Sequence, residues 1–422
     1  MKKIKIDVVA LPLSGHLYPT MNLLAPLLQN PQYEIRLFTG PQKKAVAEAV
    51  GFQVLPILEG HVKEFEKVAN NKEQLGIFSA YRQLSASLDL INLVSDQLIQ
   101  EWTNHRPDIV IVDFITLSGG LVANQLGIPW ITTMATQFVL ETTDGPPCFI
   151  GGMGSPKNFW QATIQFLGRK ATRIVKRIVS FSFRNRLKRY KFKLYNQLGH
   201  ETIYSRYSIL AIGMKEVELK KGFPEHFRWV GPSGASVEVG EDYPLDLTPF
   251  RERKKILVTC GTQLAWAKEN LIYQAKQLAK AHPDCHFFVT RGVGGEAFQC
   301  ENLMENLSVI SYLPYKEYIP KMDYVIHHGG AGIFYQCIIY GKPALILPHD
   351  YDQFDYAVRG VEADVAFTAK RDNSKAIGQS FEELLAKENW PELETLRQAA
   401  QSYHPTEILE NEIHRLLANK EK

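Results

Sequence analysis

"YVIHHGGAGIFYQCIIYGKPALILPHDYDQFDYA" runs from Tyr324 to Ala357. A short apolar run ends at two histidines. Four small residues follow (Gly329, Gly330, Ala331, Gly332), then a helical stretch, a Gly-Lys-Pro break, a second apolar run and an Asp-Gln pair at Asp352 and Gln353. Strand, tight turn, helix, strand is one βαβ unit, and its strands read as continuous apolar runs because helices cover both faces of a parallel sheet.

The same grammar extends in both directions. In the second half "KKILVTCG", "CHFFVTRG", "LSVISYL" and "PALILP" read as strands, with helices predicted at Lys268–Ala281, Gly332–Tyr340 and Asp355–Val361. In the first half the strands are "IKIDVVALPL", "YEIRLFTG", "FQVLPI", "DIVIVDF" and "PWITTMAT", with helices at Tyr18–Gln29, Gln42–Ala49, Lys72–Thr103 and Leu117–Leu126. Residues 222–250 carry Gly, Pro, Ser and acids without periodicity and read as a linker. The expected architecture is α/β: a doubly wound parallel-sheet domain over 1–221, a second over 251–400, and a terminal helix over 401–422 that packs back on the first.

A chain of 422 residues exceeds one ordinary core, which agrees with two domains. A net charge of +3 gives no reason to expect nucleic acid. Five cysteines, an odd number with no CxxC spacing, indicate neither a disulfide framework nor a zinc site and fit a reducing cytoplasm. The basic start is followed by an apolar run broken at Asp7 and Pro12, so it reads as a strand rather than a signal peptide.

Chemistry collects at the strand ends. A helix N-terminus offers unpaired amides and partial positive charge, so the glycine turn is a candidate diphosphate cradle, to which His328 adds a donor. The same residues would also serve as a plain tight βα turn. At "TCGT", Gly261 and Thr262 can present an amide and a hydroxyl. At "YLPY", Tyr312 can stack on a base while the backbone at Leu313 pairs with its edge. Asp352 and Gln353 can accept from and donate to vicinal sugar hydroxyls.

The stretch Tyr312–Ala357 resembles the donor-binding signature of family 1 (UDP-glycosyltransferase type) glycosyltransferases, and "HHGGAG", "YGKPALILP" and "DQFDYA" resemble especially the bacterial macrolide and antibiotic branch. The resemblance implies the GT-B fold, two Rossmann-like domains facing across a cleft, and inverting transfer without a metal or other cofactor, a UDP- or dTDP-sugar being the co-substrate. It implies that His328 and the backbone of Gly330, Ala331 and Gly332 hold the diphosphate, Tyr312 and Leu313 the base, and Asp352 and Gln353 the hexose, with Ile333 also among the donor-binding residues. Where the family has Glu gripping the ribose, this chain has Gln336, which forfeits charge-assisted bonds and opens the choice between UDP and dTDP.

Transfer to a hydroxyl needs a base, and imidazole suits it. "LPLSGHLYPT" puts His16 in the loop after the first strand, with Gly15 giving room beside it, and "DIVIVDF" puts Asp113 at a strand end. A lone His or Asp in such places is commonly a satisfied polar residue or a cap. The resembled family has its catalytic His and Asp at these two positions, which implies His16 as base and Asp113 as its orienting carboxylate.

From Gly145 to His200 there is no Asp or Glu, while Lys157, Arg169, Lys170, Arg173, Lys176 and Arg177 begin a basic series that continues to Lys193. Trp160, Ile164, Leu167, Ala171, Ile174 and Ile178 recur at helical spacing within it. Two readings stand: peripheral docking of residues 155–195 on an anionic membrane, or a helix pair packed on the core with a solvated basic face. With Phe65–Trp102 and Thr136–Pro147 expected to line the acceptor pocket, the acceptor reads as an apolar hydroxylated molecule or lipid. The function expected is transfer of glucose from UDP-glucose to such a hydroxyl. Alternatives are a dTDP-deoxysugar transferase, a nucleotide-sugar epimerase of the same fold, and a non-catalytic auxiliary protein.

Overall fold

The computed structural model describes residues 3–69, 77–233, 244–261, 265–292, 298–350 and 352–418. The first half contains strands β1 (Ile4–Val9), β2 (Tyr33–Thr39), β3 (Gln53–Pro56), β4 (Ile109–Asp113), β5 (Trp130–Met134), β6 (Ile209–Ile212) and β7 (Phe227–Gly231). They form one parallel sheet in the order β3-β2-β1-β4-β5-β6-β7. Its helices are α1 (Ser14–Leu24), α2 (Lys44–Val50), α3 (Val62–Ala69), α4 (Ile77–Asn104), α5 (Leu117–Leu126), α6 (Phe159–Ser182) and the single turn α7 (Arg184–Leu187).

The second half contains β8 (Lys254–Thr259), β9 (Cys285–Thr290), β10 (Cys300–Met304), β11 (Leu307–Ile310), β12 (Tyr324–His327), β13 (Ala344–Ile346) and β14 (Ala366–Thr368), in the order β10-β11-β9-β8-β12-β13-β14. Only β10 runs antiparallel. Helices α8 (Lys268–Ala281), α9 (Tyr315–Tyr318), α10 (Ala331–Ile339), α11 (Gln353–Glu362), α12 (Ser374–Ala386), α13 (Pro391–Gln401) and α14 (Pro405–Ala418) complete it. The central strands β4, β5 and β9 are buried along their whole length, as sheets covered on both faces require.

Three expectations need correction. Phe227–Gly231 lies inside the stretch read as linker, yet it is β7, the edge strand of the first sheet; its flanking Gly and Pro hid a five-residue strand. The helix expected at Lys72–Thr103 is α4 from Ile77, preceded by α3, and residues 72–76 lie outside those described. Phe65, Leu98 and Trp102 are buried in the first domain's core against Val9, Phe38 and Val110 rather than lining a pocket.

Helix α14 returns to the first domain. Its Leu409, Ile413 and Leu416 join Ile6, Leu17 and Leu37 in one core, while Arg415 donates to the carbonyl of Tyr207 at 2.8 Å. A clasp near the crossover adds a charged contact: Arg359 of α11 donates to Glu218 at 2.8 Å, with the two side chains 2% and 4% exposed. Removing one member of such a pair leaves a buried charge without its partner, at a cost of about 3–5 kcal/mol. Glu218→Ala should therefore lower the urea midpoint by an amount in that range, and the pair of changes Glu218→Leu with Arg359→Met should restore most of it.

Candidate active site at the facing sheet edges

In open α/β sheets, ligands bind beyond the carboxyl ends of the strands where the winding direction reverses. The first sheet reverses between β1 and β4, the second between β8 and β12. All four strand ends carry residues singled out by the sequence.

At the first reversal, His16 is the third residue of α1 and not part of a loop, because the chain turns helical at Ser14, directly after Leu13. Its Nδ1 stands 3.5 Å from Oδ2 of Asp113, the last residue of β4. Neither His16 Nδ1 nor Asp113 Oδ1 has a hydrogen-bond partner, so the pair is at ion-pair range without hydrogen-bond alignment. Such contacts tighten when substrate arrives. The Phe114 ring packs 4.9 Å from the imidazole, and the Ile115 amide donates to Asp113 Oδ2 at 3.3 Å. Thr20 ties α1 to β5 through Thr133 at 3.0 Å. No atom lies within 4 Å of where a Cβ on Gly15 would point, so the site is open there.

At the second reversal, Gly261 and Gly329 hold left-handed backbone (φ 68° and 89°) that favours glycine. The His328 ring fills the space between the two strand ends: a Cβ on Gly261 would lie 3.0 Å from its Cε1, and one on Gly330 would lie 2.5 Å from its Nε2. The α10 N-terminus has no side-chain cap, and Phe334 is the residue whose amide first reaches back, to Gly330 O at 3.1 Å. The amides of residues 331–333 therefore point out of the helix end, beside an exposed Gly332. Ile333 contributes only backbone, since its side chain is buried.

Imidazoles here are held neutral. Burial pulls His328 and His349 down to about 4, and His327 to about 3. His327 Nδ1 accepts the Gly329 amide at 3.0 Å, pinning the turn.

Gln353 departs from expectation. Its carboxamide oxygen accepts the amides of His349 and Asp350 at 2.8 and 3.0 Å, so it anchors the loop and only the NH2 group remains for donation outward. Asp352 faces the other domain. Burial raises its pKa, while the Thr136 hydroxyl and the charge on His16 work the other way, which puts this carboxylate within electrostatic reach of the imidazole across the cleft.

Tyr312 is half-buried and Leu313 fully so, and Gln336 is buried on α10. Thr262 lies outside the described residues. Among these, no group of three His, Cys, Asp or Glu is arranged to hold a metal ion.

Sequence reasoning missed two supports. Tyr315 OH meets Thr259 Oγ1 at 2.8 Å at the end of β8, whereas attention fell on Tyr312. Buried Lys220 donates to the carbonyls of Gln137, Phe138 and Leu140, fixing the segment after Thr136. Two cavities of about 190 and 160 Å³ flank Thr142 and Thr143 further along that segment.

Residues 255–419 match the glycosyltransferase family 28 C-terminal domain. The chain is similar to the NDP-glycosyltransferase YjiC of Bacillus subtilis, 24% identical over 359 residues that make up 84% of this chain and 81% of that one. It is also similar to 4'-demethylrebeccamycin synthase of Lentzea aerocolonigenes, 22% identical over 414 residues, 90% and 92% of the two chains. Among solved structures it superposes on the glycotransferase of kitacinnamycin with a TM-score of 0.73 at 17% identity, covering 99% and 100% of the chains. On spinosyn rhamnosyltransferase SpnG complexed with thymidine diphosphate the TM-score is 0.67 at 15% identity, covering 97% and 99%. The architecture is the GT-B fold.

Between the depressed native value of His327 and the ordinary value near 6.5, the unfolded chain binds a proton that the native one refuses. Stability from this group is thus present above pH 6.5 and declines as pH falls toward 3. His327→Gln should flatten the fall in melting temperature between pH 6.5 and 4 relative to the parent, as followed by thermal denaturation.

Proposed function

From the premise that the chain is a glycosyltransferase, similar to those of antibiotic and natural-product pathways, we propose an inverting, metal-independent enzyme. It moves a hexose, most simply glucose from UDP-glucose, to a hydroxyl of a lipophilic small molecule or lipid, and works at the membrane periphery. The observation that supports this best is the pairing of His16 Nδ1 with Asp113 Oδ2 at 3.5 Å at the carboxyl edge of the first sheet.

The acceptor hydroxyl donates to the imidazole of His16 and its oxygen attacks the anomeric carbon from the face opposite the diphosphate. The C–O bond to phosphate breaks and the nucleoside diphosphate leaves with the electron pair. The proton passes to His16, and Asp113 stabilises the imidazolium that forms. Developing charge on the leaving group meets the amides of α10 and a neutral N–H of His328. Asp352 accepts from a sugar hydroxyl, and Gln353 donates to one from its NH2. Attack opposite the leaving group gives inversion.

A dTDP-sugar donor is a second reading, favoured by Gln336 in place of a ribose-gripping Glu. Gln336→Glu should then raise affinity for UDP over dTDP, measured by calorimetry with both nucleotides. A non-catalytic role fits poorly with His16 and Asp113 paired at the strand ends.

His16→Ala should reduce nucleotide release from UDP-glucose with a hydroxylated acceptor by roughly 10²–10⁴-fold. Calorimetric donor affinity should stay within about twofold, because His16 sits on the acceptor side. Joint loss of donor binding and folding would make His16 structural, and unchanged turnover would remove it as the base.

A further inference from the structure

Helix α6 buries its polar side and exposes its apolar one. Toward the body, Gln165 donates to Gly154 O at 2.6 Å, Arg173 to Gly199 O at 3.0 Å, and Lys176 to Glu201 at 2.6 Å and Val139 O at 3.1 Å. Toward solvent stand Trp160, Ile164, Leu167, Ile174, Ile178 and Phe181, each between 55% and 73% exposed. Their steps of three and four residues, bridged by Ala171, align them in one straight stripe, roughly 30 Å long at 1.5 Å per residue. An ordinary surface helix does the reverse, and an apolar patch of this extent marks an interaction surface.

We propose that this stripe is a membrane-docking surface, with α6 lying flat in an anionic bilayer and its apolar residues among the acyl chains. Charge selects the occupant. No acid occurs from Gly145 to His200. Lys170 and Arg177, seven residues apart, line one flank of the stripe, Lys157 and Arg184 stand at its ends, and among the described residues none of these four is in an ion pair. Lys170 and Arg184 lie over the rings of Phe166 and Phe181 at 5.3 and 4.0 Å, apolar body inward and charge outward, as at a lipid headgroup layer. A second copy packed antiparallel along the stripe would bring like charges together on the basic flank and at both ends. No helix of the described residues is long and apolar enough to cross a membrane, and the buried basic face of α6 keeps it in plane.

The strap leading into α6 is bound to the donor domain. The Gly152 amide donates to Asp355 at 3.0 Å, and Ser155 N and Oγ donate to Glu362 at 2.7 and 2.6 Å. Both acceptors are on α11, which begins beside Asp352. The docking plane thus lies one short strap from the sugar site. In purpose the proposal rests on the lipophilic-acceptor reading; its test does not.

Flotation with vesicles of phosphatidylglycerol and phosphatidylcholine should carry the protein, and vesicles of phosphatidylcholine alone should carry much less. Lys170→Glu with Arg177→Glu should lower partitioning by roughly tenfold or more. Ile174→Asp with Ile178→Asp should bring it to background while leaving circular dichroism and the melt unchanged, since both positions are exposed. His16→Ala should float like the parent. Indifference to anionic lipid, or undiminished flotation of the aspartate variant, overturns the proposal. So does a dimer on gel filtration that the aspartate variant splits and vesicles ignore. A protein that floats but turns over no nucleotide sugar keeps the docking surface and loses the catalytic reading; one that turns over without floating does the opposite.

Discussion

The electrostatic reach between Asp352 and His16 across the cleft is the interaction that gives the rest of the molecule its sense. Each group sits at the carboxyl edge of a different sheet, so neither sheet alone assembles a reaction centre. Their meeting depends on how the domains are held. Three devices hold them: the buried Glu218–Arg359 pair, the strap from Gly152 to Ser155 on α11, and α14, which leaves the second domain to complete the core of the first. Because α11 carries Asp355, Arg359 and Glu362 on the helix that follows Asp352, the helix that joins the two domains is also the one that places Asp352.

Electrostatic division of labour follows from burial. The edge of the second sheet is lined by imidazoles that desolvation keeps neutral, His327, His328 and His349 all lying well below their ordinary value. Neutral rings donate single hydrogen bonds without adding charge, and the partial positive charge at this edge comes from the α10 amides, whose dipoles are fixed by the helix. At the edge of the first sheet the imidazole of His16 is partly exposed instead, 3.5 Å from Asp113.

The overall architecture was legible because parallel strands buried on both faces are continuous apolar runs, and α5 and α8 fall at the residues their periodicity indicated. Short elements flanked by Gly and Pro, such as β7, carry too little pattern to be seen. His16 was read as loop because the helix was expected to begin at Tyr18, with Pro19 in its first turn, whereas it begins four residues earlier at Ser14 and takes in His16. Candidate residues were legible by type and place, their commitments were not. That the Gln353 oxygen belongs to the amides of His349 and Asp350, and that Tyr315 rather than its neighbours ties down Thr259, are facts of tertiary approach.

The orientation of α6 shows the same limit with a larger consequence. Periodicity marked an apolar face and a basic remainder, and a propensity argument would turn the apolar face inward. Glu141 and Glu201, distant in sequence from the helix centre, instead pull Arg173 and Lys176 into the body. A buried ion network of this kind is weak as a source of stability, since desolvation offsets most of its attraction. An ordinary apolar contact would have held the helix at least as well. Its retention makes physical sense when the outward stripe has an apolar phase to enter, because the free energy of burying Trp160, Ile174 and Phe181 is then recovered at the membrane instead of in the core.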